Sequence, residues 1–195
     1  MSNYREDWDA YTTRVQGVPT SIGLDLGRIV DAPDSTRPTL VRILISCHEH
    51  RENGFPSNQD FDVLYELEDA IIKFVGSKTE WVHVGAVTDS RGREIVFYAP
   101  EALDLDESDF DFLPADRRGD AFWGTYEDPE WGFYRDFMFP NPHVFRQIQD
   151  ARVLENLRKN GDCHDIVRRV ITGFTSPRRV IGSDFSTGQS PGTLR

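Results

Sequence analysis

The fold is indicated most strongly by residues 59–75, which read QDFDVLYELEDAIIKFV. Apolar side chains recur there at intervals of three and four residues, which is the spacing of one face of an α-helix. Ser57 and Asn58 precede the run as candidate N-cap residues, and Gly76 follows it as a stop signal. The pattern predicts a helix over residues 59–75. Its apolar face consists of Phe61, Leu64, Leu67, Ile71, Phe74 and Val75.

Segments with strand character lie on both sides of this helix. Residues 20–26 and 39–47 alternate apolar and polar side chains before it, and residues 81–87 and 93–98 are β-rich after it. The connection between the last two segments contains Gly92 and suits a hairpin loop. The order β-β-α-β-β predicts an α+β fold, with helices packed on one face of a mainly antiparallel sheet.

A second, related α/β half is expected after residue 120. Its expected elements are a strand at 121–126, helices at 130–139 and 142–159, and strands at 166–174 and 179–185. The composition then turns to Ser, Thr, Gly and Gln, which is typical of a disordered tail. The predicted divisions are a first half with an acidic loop at 1–120, a second half at 121–185 and a tail at 186–195.

Negative charge is concentrated in one part of the 195-residue chain. The formal net charge is -11, and residues 101–130, here called the acidic segment, hold 11 acidic and 2 basic side chains. Phosphate backbones and anionic membranes repel such a surface, so neither nucleic acid nor a membrane is expected as a partner. The charge instead predicts a basic protein partner.

The remaining composition predicts a cytoplasmic location. No apolar run has the length needed to cross a bilayer, and residues 1–9 lack the basic and apolar pattern of a signal peptide. Cys47 and Cys163 are the only cysteines, which fits a reducing compartment rather than a disulfide scaffold.

Alternating acidic and aromatic side chains within the acidic segment predict a binding surface. Aromatic side chains supply contact energy at interfaces, and carboxylates steer a basic partner. An EF-hand is excluded because its sixth and twelfth positions, counted from Asp104, hold Asp109 and Ala115 instead of Gly and Glu. The predicted partner-binding residues are Asp104, Asp106, Asp109, Phe110, Asp111 and Phe112.

A Cys/His cluster offers an alternative function as a metal-binding protein or a metal-dependent enzyme. A zinc site needs about four ligands in tetrahedral reach, and the candidate ligands match no standard motif spacing. No phosphate-binding glycine loop, dinucleotide fingerprint or nucleophile elbow occurs, so no catalytic residues and no cofactor are predicted. The candidate metal ligands are Cys47, His48, His50 and His164.

Residues 128–140 combine aromatic side chains with helical spacing, which favours core packing over a binding groove. The structural motif Asp128-x-x-Trp131-x-x-Tyr134-x-x-Phe137-x-x-Pro140 resembles the end of the bacterial family called domain of unknown function 695. The resemblance covers residues 8–140 and implies no catalytic residue set. Agreeing features are Gly17-Val18-Pro19, Gly54-Phe55-Pro56 and Arg93-Glu94-x-x-Phe97-Tyr98.

The C-terminal part resembles another family, ribonuclease E regulator B. The similarity lies in Leu157-Arg158-Lys159-Asn160-Gly161-Asp162, followed by Arg168-x-Val170 and Phe174. Members of that family are small acidic ferredoxin-like proteins that inhibit an RNA-processing enzyme by binding it. The resemblance implies ferredoxin-like halves and a protein-binding role. The expected function is a non-enzymatic regulator or inhibitor of a nuclease or toxin, acting as an immunity protein or as a ribonuclease regulator.

Overall fold

The structure, a computed structural model, describes residues 3–78, 80–102 and 105–161. Its strands are β1 (Trp8–Val15), β2 (Val18–Asp25), β3 (Thr39–Ser46), β4 (Val82–Asp89), β5 (Gly92–Ala99) and β6 (Ala121–Glu127). The longer helices are α1 (Asn58–Lys78) and α2 (Pro142–Lys159). The six strands form an antiparallel sheet in the order β1-β2-β4-β5-β3-β6. The predicted α+β class with a mainly antiparallel sheet is thereby confirmed.

The centre of the sheet is a split β-α-β unit formed by β3, α1 and β4. Strand β5 lies between β3 and β4 and pairs antiparallel with both, so β3 and β4 run in the same direction. This arrangement is the unit from which ferredoxin-like folds are built. Asp89 pairs with Gly92, so the hairpin loop is shorter than predicted and consists of Ser90 and Arg91.

The two faces of the sheet are covered by different helices. Val41, Ile43 and Ile45 of β3 pack with α1 in one apolar cluster, whereas Leu40 of the same strand belongs to a second cluster with Trp131. A π-helical segment (Phe133–Met138) and α2 cover this second face. The sequence pattern predicted that all helices pack on one face. They divide because β3 and β5 carry apolar side chains on both faces, as strands buried on both sides do.

Strand β1 is absent from the predicted elements. Its side chains alternate between exposed and half-buried, with none fully buried, so it lacks the apolar periodicity that marks a core strand. The strand forms because β2 pairs with it along its whole length through a turn at Gln16 and Gly17. Both turn residues have positive φ, +51° and +86°, as the favoured turn of a two-residue hairpin requires.

Beyond β5, the predicted acidic loop contains two short helical turns. A 3₁₀ turn spans Glu107–Phe110 and another spans Arg118–Asp120. None of the described helices has the length and apolarity needed to cross a bilayer. The predicted strands at 166–174 and 179–185, and the tail, lie outside the described residues, so the division into two halves stays a prediction.

Candidate functional site

The acidic segment contains a turn whose carboxylates are fixed by local hydrogen bonds. Asp106 accepts from the Ser108 amide at 2.8 Å and the Ser108 hydroxyl at 2.5 Å. Asp109 accepts from the Asp106 amide at 3.1 Å and from Lys78 Nζ at 3.0 Å. The Ser108 bonds lower the pKa of Asp106, and the Asp106 amide and then Lys78 lower the pKa of Asp109. Both side chains are therefore ionised and preorganised at neutral pH.

The aromatic residues of this turn divide between the core and the surface. Phe110 is 1% exposed and stacks on Trp123 with ring centres 4.8 Å apart. The ring of Phe110 fills space between α1 and β6 as part of the core, and its contact with a partner stays a prediction. Phe112 is 41% exposed and packs its ring beside Phe74. Asp104, another predicted contact, lies outside the described residues.

A cleft of about 670 Å³ lies between this turn and β6 and is here called the edge cleft. Aromatic rings and carboxylates together suit a cationic side chain, through cation–π attraction and charge-assisted hydrogen bonds. The predicted binding residues do not include the aromatic residues of β6, although strand alternation in residues 121–126 is a signal for them. The lining includes Glu107, Phe110, Asp111, Ala121, Phe122 and Trp123.

The Cys/His cluster is only partly assembled. Cys47 Sγ lies 3.0 Å from His50 Nε2, which is also 2.5 Å from the Ser90 carbonyl oxygen. His48 instead lies 2.5 Å from Asp120 through its Nε2. In the described ranges no three His, Cys, Asp or Glu side chains are placed to hold a metal ion. His164 lies outside those ranges.

Burial, followed by the negative charge of Asp60, raises the pKa of the Cys47 thiol. Cys47 is therefore protonated at neutral pH, whereas the nucleophilic form of a cysteine is the thiolate.

Asp60 connects the end of β3, the start of α1 and the acidic segment. It accepts from the amides of His48 at 2.5 Å and Glu49 at 2.6 Å, and from Arg117 Nη2 at 2.7 Å. Arg117 also donates to the Ser46 carbonyl oxygen. Burial alone would raise the pKa of Asp60, but the Glu49 amide and Arg117 bonds outweigh it and lower that pKa. The ion pair anchors the acidic segment to the sheet.

The aromatic motif of residues 128–140 is a packing unit. Asp128 accepts from the Tyr98 hydroxyl at 2.6 Å and from the amide of Gly132. Trp131 stacks on Tyr98 at 4.0 Å between ring centres, and Tyr134 donates its hydroxyl to the Asp25 carbonyl oxygen. Trp131 and Tyr134 are fully buried. Two further motif residues complete the unit: Phe137 is half-buried and Pro140 is buried.

A half-buried histidine, His83, lies on β4, on the side of the sheet that faces α1. His83 Nε2 is 3.1 Å from the Gly85 carbonyl oxygen and 3.9 Å from Glu68 Oε1, and Glu68 is bonded to Arg93. Burial lowers the pKa of His83 to about 4, with the Arg93 charge acting in the same direction. His83 is therefore neutral in the folded protein at neutral pH.

We expect stability to fall as the pH decreases from about 6.5 to about 5. In this window His83 stays neutral in the folded chain while the unfolded chain, with a histidine pKa of about 6.5, takes up a proton. Urea unfolding at a series of pH values should show this loss, which His83→Gln should reduce and the exposed-residue control His143→Gln should retain. An equal loss in all three proteins would contradict the prediction.

The sequence of residues 6–139 matches the model of a family described as a family of unknown function, DUF695. This range contains β1 to β6, α1 and the acidic segment. No curated protein and no solved structure matches the chain. The match ends before residues 157–174, whose similarity to ribonuclease E regulator B stays a prediction. Because the family match covers more than half of the sequence, the chain belongs to the family of unknown function DUF695.

Proposed function

We propose that this protein is a non-enzymatic, cytoplasmic regulator or inhibitor that binds a basic protein such as a nuclease or toxin. The observation that supports this most is the fixed turn of Asp106 and Asp109 beside the aromatic edge cleft. Groups that are already ordered bind with a smaller entropy cost than groups that must be ordered on contact. The turn therefore presents negative charge in a form suited to binding.

The charge distribution supports a partner that itself binds anions. The acidic segment holds 11 carboxylates against 2 basic side chains, and such a field accelerates encounter with a positively charged surface. A nuclease surface that binds phosphates is positively charged for the same electrostatic reason. An inhibitor with this surface would occupy the region where the nucleic acid binds. An immunity protein and a ribonuclease regulator are two forms of this proposal.

Replacing Asp106, Asp109 and Asp111 by Asn should weaken partner binding by about tenfold or more at low salt, because three negative charges are lost. The partner would be captured from the source cell with the wild-type chain, identified, purified and measured by biolayer interferometry at increasing salt. Wild-type affinity should fall with salt, and the variant should show a shallower dependence.

A matched control carries the same change of charge on the exposed side of α1. Asp62→Asn, Glu66→Gln and Asp69→Asn remove three carboxylates away from the edge cleft. This control should bind within about twofold of the wild type, because long-range charges are screened. Equal losses in both triple variants, or wild-type binding that does not respond to salt, would refute the proposal.

A further inference from the structure

Strand β6 forms one edge of the described sheet and pairs with β3 alone. The Asp128 amide donates to the Pro38 carbonyl oxygen at 2.8 Å, one step beyond the Thr39–Glu127 pair. Antiparallel hydrogen bonds alternate along a strand, so the amides and carbonyls of Trp123 and Thr125 point away from β3. Among the described residues, no strand pairs with these outward-facing groups of β6.

The two edges of the sheet differ in how they are protected. At the opposite edge, β1 carries Asp9 and Arg14, and Asp9 is held by Arg152 of α2 at 2.5 Å. Strand β6 reads AFWGTYE and contains no Lys, Arg or Pro, the residues that commonly protect an edge. Phe122 and Tyr126 are 56% and 51% exposed on it. Strand β6 therefore has the features of an edge that accepts another strand.

The surroundings of β6 differ on its two faces. Side chains of an added strand would alternate between these faces. On the α1 side they would meet the edge cleft, with the carboxylates of Glu107 and Asp111 beside the Trp123 ring. On the other side they would meet Tyr126 and Phe122, which also lines the edge cleft. The first environment suits arginine or lysine, and the second suits apolar side chains.

We propose that β6 binds an extended basic segment of the partner protein by strand addition. Basic side chains of that segment enter the edge cleft, and the alternate apolar side chains pack against Phe122 and Tyr126. Charge complementarity with Glu107 and Asp111 selects this occupant. The inference rests on the proposed function and names the binding mode of the same site.

The test uses the full chain and a seven-residue peptide of alternating arginine and valine, the length of β6. Two further peptides carry backbone N-methyl groups, on the arginines in one and on the valines in the other. Only one set of amides faces β6 in a bound strand. Measured by fluorescence anisotropy, one methylated peptide should bind about tenfold or more weakly than the unmethylated peptide, and the other should bind with the same affinity as the unmethylated peptide. Equal affinity of both methylated peptides would overturn the proposal.

A second test changes β6 itself. Thr125→Pro removes an amide that points to the outer edge and leaves the hydrogen bonds to β3 in place. We expect this variant to bind the unmethylated peptide about tenfold or more weakly, whereas the control Thr125→Val, which keeps the amide, should bind within about twofold of the wild type. Circular dichroism would establish that both variants fold. If Thr125→Pro does not fold, the methylated peptides decide the question.

The outcomes separate this inference from the proposed function. Binding that is weakened by the Asp106, Asp109 and Asp111 substitutions but not by N-methylation or Thr125→Pro would overturn strand addition alone. Peptide binding that does not respond to those charge substitutions would count against the proposed function.

Two outcomes would assign the edge to a different occupant and overturn the inference. A wild-type dimer that becomes monomeric in Thr125→Pro, without peptide binding, would assign the edge to a second copy of the chain. If the peptide binds only after basic residues near the C-terminus are changed to Gln, the C-terminal segment of the chain itself occupies the edge in the wild type. The residues changed in that variant are Arg168, Arg169, Arg178 and Arg179.

Discussion

Asp60→Ala is expected to destabilise the protein by about 3–5 kcal/mol, because it leaves a buried guanidinium without its counter-ion. Arg117 is 6% exposed, and its Nη2 atom lies 2.7 Å from Asp60. The substitution also removes the acceptor for the His48 and Glu49 amides, which join the end of β3 to α1. Chemical unfolding followed by circular dichroism would measure the change in the free energy of unfolding.

A control and a double variant separate the effect of an unpaired buried charge on stability from the effect of general damage to α1. Asp62→Ala alters an exposed carboxylate two residues further along α1 and should change the stability by less than about 0.5 kcal/mol. Replacing Asp60 by Leu and Arg117 by Met removes both charges, so it should cost less than Asp60→Ala alone. A double variant less stable than Asp60→Ala would contradict the explanation by an unpaired charge.

Trp131→Ala is expected to cost about 3–5 kcal/mol, the range for removing a large aromatic side chain from a core. The ring is fully buried, stacks on Tyr98 and donates its Nε1 hydrogen to the Arg37 carbonyl oxygen at 2.8 Å. Its loss would leave a cavity between the sheet and the π-helical segment. Thermal and chemical unfolding of the wild type and the variant would measure this cost.

Trp8→Ala supplies the control for Trp131, because Trp8 is 45% exposed on the edge strand β1. We expect it to cost about 1 kcal/mol or less. Trp131 also has φ of +55°, a conformation that glycine adopts more easily than alanine. Trp131→Gly should therefore be no less stable than Trp131→Ala. A small effect of Trp131→Ala, similar to that of Trp8→Ala, would show that the stacked ring is not a main support of this face.

The Asp60–Arg117 ion pair and the aromatic motif of residues 128–140 both have structural roles. The spacing of Asp128, Trp131 and Tyr134 reflects a carboxylate that caps a helical segment and two rings that pack under it. Asp60 and Arg117 anchor the acidic segment. The candidate function therefore rests on the edge cleft and its carboxylates, away from the aromatic motif.

Part of the candidate site follows from the sequence pattern, and part depends on the tertiary structure. Charge density singles out Asp106 and Asp109, and both belong to the turn whose neighbouring residues Glu107 and Ser108 line the edge cleft. Phe110 and Phe112 are equivalent in the sequence pattern, yet one is buried and the other is 41% exposed. The 3₁₀ turn and the position of Trp123 determine which ring points inward. The periodicity of the sequence encodes neither of these.

The sequence by itself determined the α+β class, the β3-α1-β4-β5 order and the location of the negative charge. These are local properties, because apolar periodicity and turn residues act over a few neighbouring positions. Only the tertiary structure decided that β6 lies beside β3 at the edge, that the helices cover both faces and that Asp60 meets Arg117. Those features depend on contacts between residues far apart in the chain, whose geometry follows from packing the whole sheet.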